Sequence, residues 1–148
     1  MSQFLLDTHT FIWLTEDSPS LPKTLKEMID AADLVYVSIA SLWEISIKLK
    51  LGKLLLKQSY ESIGKTVADS DILLLSIAFE DTAKLLDLPL HHSDPFDRIL
   101  ISQAINHSLE ITADCVTKRY SSSSEQSSSV AGLLNKVTVR RPAVVQPR

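Results

Sequence analysis

Apolar residues along this chain fall into short unbroken runs and longer interrupted ones, and the two kinds alternate. Phe4-Leu5-Leu6, Leu34 to Ser38 (LVYVS), Ile72 to Ser76 (ILLLS) and Glu110 to Ala113 (EITA) are short runs, mostly aliphatic. Runs of that length without polar spacing predict strands buried on both faces. Between them, LPKTLKEMIDAA (21–32) sets Leu21, Leu25, Met28 and Ile29 at helical spacing, with Pro22 near its start. IASLWEISIKLKLGKL is apolar at Leu42, Ile45, Ile47 and Leu49 and predicts a helix stopped by Gly52. Residues 60–70 predict a weaker helix, and residues 79–88 one that ends before Pro89. PFDRILISQAINH (95–107) is strongly amphipathic, with Ile99, Leu100 and Ala104 facing inward.

Strands that alternate with helices predict an α/β fold, a central and mainly parallel sheet of four to five short strands covered on both faces. The pattern fails after residue 120. SSSSEQSSS (121–129) holds seven serines in nine positions and cannot bury a core. The expected organisation is one domain over 1–120, then a Ser-rich linker and a flexible basic tail to residue 148.

Composition narrows the class. At 148 residues, 45% hydrophobic and 22% charged, the chain reads as an ordinary soluble domain with a sizeable core. No apolar run reaches the roughly 18–20 residues of a membrane span. No secretory signal is visible at the N-terminus. A single cysteine, Cys115, excludes an internal disulfide and a cysteine-based zinc site, and it fits a reducing cytoplasm. Three glycines (Gly52, Gly64, Gly132) exclude a P-loop or a Gly-rich dinucleotide turn.

The net charge of −3 hides an asymmetry: residues 1–114 hold nine basic against seventeen acidic side chains, and residues 115–148 hold six against one. An acidic body binds nucleic acid poorly in general but suits a site that gathers carboxylates around a cation.

Four acids fall at comparable places in the alternation. Asp7 follows the first strand, Glu44 lies in the helix after the second, Asp97 sits in the first turn of the last helix, and Asp114 follows the last strand. In a parallel sheet these places converge on the C-terminal edge, where ligands bind. Each has a plainer reading. Asp7 caps the helix from Thr8. Asp97 completes a capping box begun by Asp94, itself the cap before Pro95. Asp114 caps a turn. Glu44 is harder to dismiss, because LWEIS surrounds it with apolar residues and a buried Glu is rarely unpaired. Four converging carboxylates repel one another, and a hard divalent cation, Mg²⁺ or Mn²⁺, resolves the conflict.

LLDTHTFIWL, SIASLWEISIKLKLGKL, LPLHHSDPFDRILISQA and ITAD, in that order, together resemble the PIN-domain family. Within it they look most like the VapC-type toxin ribonucleases of type II toxin–antitoxin systems. The likeness runs from about residue 4 to residue 120. It implies a PIN-like three-layer α/β/α sandwich and a Mg²⁺- or Mn²⁺-dependent endoribonuclease, often a homodimer, held inactive by an antitoxin protein. The family's acids carry over onto Asp7, Glu44, Asp97 and Asp114, with Asp7, Asp97 and Asp114 as metal ligands. Its hydroxyl two positions before the last acid carries over onto Thr112. Relatives continue past the last acid through an aromatic-containing turn into a final strand, whereas here the serine run intervenes. That departure supports a second reading, a catalytically impaired PIN-like module acting through protein binding.

The remaining expectations are local. Asp94 and Arg98 support the site, with Arg98 bridging to a neighbouring acid. Lys48, Lys50, Lys53 and Lys57 are candidates for RNA phosphates, or else one solvated helix face. Trp13 and Trp43, in apolar runs, pack in the core. His91 and His92, adjacent in an extended segment, point apart and do not make a zinc site. A phosphoryl-accepting role for Asp7, as in dehalogenase-type phosphatases, would require a second Asp at position 9, where His stands.

Overall fold

A computed structural model of the protein describes residues 1–90 and 94–112. β1 (Gln3–Leu6) leads into α1 (Thr8–Thr15) and α2 (Lys23–Asp30). β2 (Leu34–Ser38) leads into α3 (Ile39–Lys50) and α4 (Tyr60–Asp69). β3 (Ile72–Leu75) is followed by α5 (Phe79–Lys84) and a 3-10 turn (Leu85–Asp87), and α6 (Pro95–His107) returns into β4 (Glu110–Ile111). The strands form one sheet in the order β3-β2-β1-β4, and every pairing is parallel.

The layers are decided at the centre of the sheet. Leu5 and Leu6 are adjacent on β1, and neither has exposed surface. A strand's period of two sends them to opposite faces. Leu5 packs with Leu88, Leu100, Ile101, Ala104, Leu109 and Ile111, largely beneath α6. Leu6 packs with Phe11, Leu25, Ile29, Val37, Ile45 and Ile63, which come from α1 to α4 and β2. Two cores back to back make the expected three-layer α/β/α sandwich. Burying a leucine of this kind contributes about 1.5–3 kcal/mol.

Helix ends follow local chemistry. Ser38 and Ser59 cap α3 and α4 with their hydroxyls. α3 stops where Gly52 turns left-handed, φ 65°. There the Lys53 N–H reaches the Lys48 carbonyl at 2.9 Å and the Gly52 N–H reaches that of Leu49 at 3.1 Å. α6 spans the predicted residues and ends at Ser108, whose φ of 55° reverses the chain into β4. The expected linker and tail, Asp114, His91 and His92 lie outside the described residues.

Candidate functional site

Asp7 stands at the end of β1, 7% exposed. Its backbone is still extended, and its Oδ1 accepts the Thr10 N–H at 3.3 Å, so it does cap α1. The cap uses only part of the side chain. Oδ1 also accepts the Thr112 hydroxyl at 3.3 Å, and Thr112 Oγ1 in turn accepts the Asp7 N–H at 3.3 Å. β4 delivers Thr112 there because it pairs with β1 in parallel and the Thr112 N–H extends the ladder to the Leu5 carbonyl at 3.2 Å. The His9 Nδ1 lies 3.9 Å from Oδ2.

Glu44 comes to the same place from α3. It is buried, as its apolar neighbours predicted. The Thr8 hydroxyl donates to Oε2 at 2.6 Å, and the Lys48 ammonium lies 2.6 Å from Oε1. Thr8 is the residue after Asp7, so one hydroxyl ties the β1 acid to the α3 acid. One turn earlier on the same face, the buried Ser41 hydroxyl has no hydrogen-bond partner among the described residues.

α6 begins beside α3. Phe96 meets Trp43 edge-on, with ring centroids 5.3 Å apart. Asp97 follows in the first turn of α6, half-buried. Asp94 is the cap expected of it: its carboxylate accepts the Phe96 N–H at 2.9 Å, and it is exposed.

One expectation needs correction. Trp43 is not a core residue; it is 59% exposed. The buried face of α3 carries Ala40, Ser41, Glu44 and Ile45, and the helical period turns position 43 away from it. Arg98 does not bridge to an acid among the described residues. Its guanidinium donates to the carbonyls of Pro89 (2.8 Å), Leu85 (3.0 Å) and Leu88 (3.4 Å). Carbonyls at the end of a helical segment lack partners within it and carry partial negative charge, so a cation there has good acceptors without a carboxylate. Trp13 is half-buried, 6.1 Å from the His9 ring.

The four lysines divide. Lys48 is committed to Glu44. Lys57 is exposed and reaches Glu16 through its N–H, 2.7 Å from Oε2, and its ammonium, 3.3 Å from the carbonyl. Lys50 and Lys53 are exposed on the last turn of α3 and just beyond.

The donors fit a hard cation. Asp7 offers carboxylate oxygen, Glu44 brings a second carboxylate that can accept from a bound water, and the Ser41 hydroxyl has no partner among the described residues, the oxygen chemistry that Mg²⁺ and Mn²⁺ take. Among the described residues, no three His, Cys, Asp or Glu side chains stand together closely enough to hold an ion. The structure thus joins Asp7, Glu44 and Thr112, with Asp97 at the head of the neighbouring helix.

Residues that the sequence reading passed over also appear. Thr8 and Lys48 hold Glu44; the four-residue spacing of Glu44 and Lys48 on a helix was the available signal. Asp81 carried none. It is fully buried and accepts from the Ala78 N–H at 2.9 Å and the Asn106 amide at 3.0 Å, with His107 Nε2 at 3.4 Å. Burial pushes its carboxyl up, but the Ala78 and Asn106 donors and the nearby His107 outweigh this and hold it below the ordinary carboxylate range. The Ser102 hydroxyl donates to the Asp81 carbonyl. Asp81 thereby pins α5 to α6.

Known structures share this fold. VapBC-1 from nontypeable Haemophilus influenzae superposes with a TM-score of 0.57 at 17% identity, over 81% of this chain and 93% of that one. VapBC2 from Rickettsia felis, bound to a DNA fragment from its promoter, gives 0.57 at 16% identity, over 79% and 92%. FitAcB from Neisseria gonorrhoeae gives 0.50 at 18% identity, over 73% and 84%. At these identities the likeness is one of fold. No curated protein matches the chain. The PIN domain family model matches residues 4–121, the span that holds both cores and every acid of the candidate site, and the chain belongs to the PIN domain family.

Proposed function

We propose that this protein is a divalent-metal-dependent endoribonuclease that hydrolyses RNA phosphodiester bonds, the VapC-type toxin of a toxin–antitoxin pair. The observation that carries it is the joining of Asp7 to Glu44 through Thr8 at the C-terminal edge of a parallel sheet. PIN domains are generally nucleases, and the fold likeness to VapBC and FitAcB supports a protein antitoxin as partner. A homodimer and a cytoplasmic location complete the proposal.

Asp7, Asp97 and Asp114 would hold Mg²⁺ or Mn²⁺. When bound, the ion lowers the pKa of water and offsets charge on the departing 3′ oxygen. The chain's own contribution is positional. Thr10 and Thr112 fix Asp7 Oδ1, so its orientation does not depend on the ion. Glu44, fixed by Thr8 and Lys48, accepts a hydrogen bond from the attacking water and aims it at phosphorus. Thr112 supports Asp7 from behind. In-line attack leaves a 5′ phosphate and a 3′ hydroxyl. Lys50 and Lys53, exposed, are the cations best placed for the RNA backbone.

The test is cleavage of RNA by the protein with Mg²⁺ or Mn²⁺, with EDTA, and by Asp7→Asn and Asp97→Asn. Each substitution should reduce cleavage at least ~10²-fold, as loss of a preorganised group does. Undiminished cleavage in EDTA or by Asp7→Asn rules the mechanism out. Protein binding without RNA cleavage under any metal favours the non-catalytic reading.

A further inference from the structure

Lys48 has a role that a phosphate contact does not explain. It lies one helical turn after Glu44 and on the same face, so its stem runs along α3 toward the site. The Glu44 side chain is 7% exposed and that of Lys48 35%, so the pair is set into the rim and not solvated like a surface ion pair. Lys48 takes Oε1 at 2.6 Å while Thr8 takes Oε2 at 2.6 Å. Both oxygens of Glu44 therefore have a strong partner within the chain itself. Asp7, the neighbour of Thr8, brings a second carboxylate to the same sheet edge, and two negative charges on one edge favour a compensating cation.

We propose that Lys48 is a positioning residue that serves as the resident cation of the metal-free site. It neutralises Glu44 where Thr8 places it and keeps it from turning into the ligand shell of the ion. Two consequences follow from charge alone. The metal-free site is stable because Lys48 answers the carboxylates from within the chain. A divalent ion entering beside Asp7 meets that positive charge and binds more weakly than the acids alone would hold it. Glu44 is left as an acceptor for water, not a ligand. Exposed lysines at positions 50 and 53 remain for RNA. This inference rests on the nuclease reading, since it assigns Lys48 a part in that site.

The experiment compares wild type with Lys48→Met, Lys48→Gln and Lys48→Arg. For each, Mn²⁺ affinity is measured by calorimetry on the metal-free protein, with its melting temperature and with kcat and KM for RNA. Either neutral variant should bind Mn²⁺ roughly tenfold more tightly, one partly screened charge having been removed. Each should melt several degrees lower without metal and recover in Mn²⁺. Each should lose kcat with little change in KM. Lys48→Arg, which keeps the cation, should stay near wild type. Unchanged Mn²⁺ affinity and melting temperature with a raised KM would make Lys48 an RNA contact and overturn the proposal. A wild type that binds Mn²⁺ and cuts RNA beside unchanged neutral variants overturns this inference alone. A wild type that does neither overturns the nuclease reading and this one with it.

Discussion

Thr112 and Asp7 are 105 residues apart in the chain, yet two hydrogen bonds of 3.3 Å join them: the Asp7 N–H to Thr112 Oγ1, and that hydroxyl to Asp7 Oδ1. The parallel register of β1 and β4 brings them side by side at the mouth of the sheet. One threonine therefore ties the last described strand to the first acid of the site.

Thr112→Val should break both bonds while keeping the shape. Its cost to stability is expected to be about 1–2 kcal/mol, because the buried Asp7 N–H loses its acceptor. Cleavage should fall roughly 10- to 100-fold, as for the loss of a group supporting a ligand. Thr112→Ser should retain most of both. Urea unfolding and initial cleavage rates measure the two effects separately.

Asp94→Ser should change little. The role seen for Asp94 is to accept the Phe96 N–H at 2.9 Å from an exposed cap position, and serine caps about as well. Melting temperature and cleavage are expected to match the wild type closely. Loss of metal binding at an unchanged melting temperature would show that Asp94 is a ligand.

Asp81 links stability to pH. Its carboxyl is held below its ordinary value in the folded protein. Its contribution is therefore fully present above the unfolded pKa and is lost as pH falls through the lower folded value. Stability attributable to Asp81 should hold down to about pH 5 and decline progressively below about pH 4. Asp81→Asn should cost about 1–3 kcal/mol near neutral pH, since the Ala78 N–H and the Asn106 amide lose a charged acceptor. Thermal melts of both proteins from pH 3 to 7 test this: the gap between them should narrow at the acid end.

The proposed domain limit near residue 120 has its own test. Among the described residues, both hydrophobic cores draw on residues 5–111. A chain ending at Tyr120 should keep its melting temperature within a few degrees. Because residues 121–148 hold four basic side chains against one acidic, the shortened chain should bind RNA more weakly, most visibly at low salt. Unfolding or aggregation of the shortened chain would assign an essential structural role to the remainder.

Much of the architecture is local information, and the sequence carried it. Four short apolar runs became the four strands, and α6 spans the predicted residues 95–107 because Asp94-Pro95 starts it and the apolar period continues to its end. Asp7 and Glu44 were legible for the same reason: one follows a buried strand, and the other interrupts an apolar helix. Partners across the fold were not legible. Periodicity says which residues turn inward but not what they meet. It could not place Trp43 outside, because a tryptophan in an apolar run reads as core until neighbouring elements choose the buried face of α3. Arg98 meets the carbonyls of Pro89 and Leu85 because the 3-10 turn after α5 ends beneath it, which is a matter of packing. Asp81 gave no sign of burial, since its donors come from residue 78 and from α6. Lys48 stood at the right spacing from Glu44, but only the burial of that carboxylate beside Thr8 turned a common helix pair into part of the site. Spacing along one element is written in the sequence, whereas the dielectric, the register and the competing partner at each polar atom come into being only when the elements close on one another.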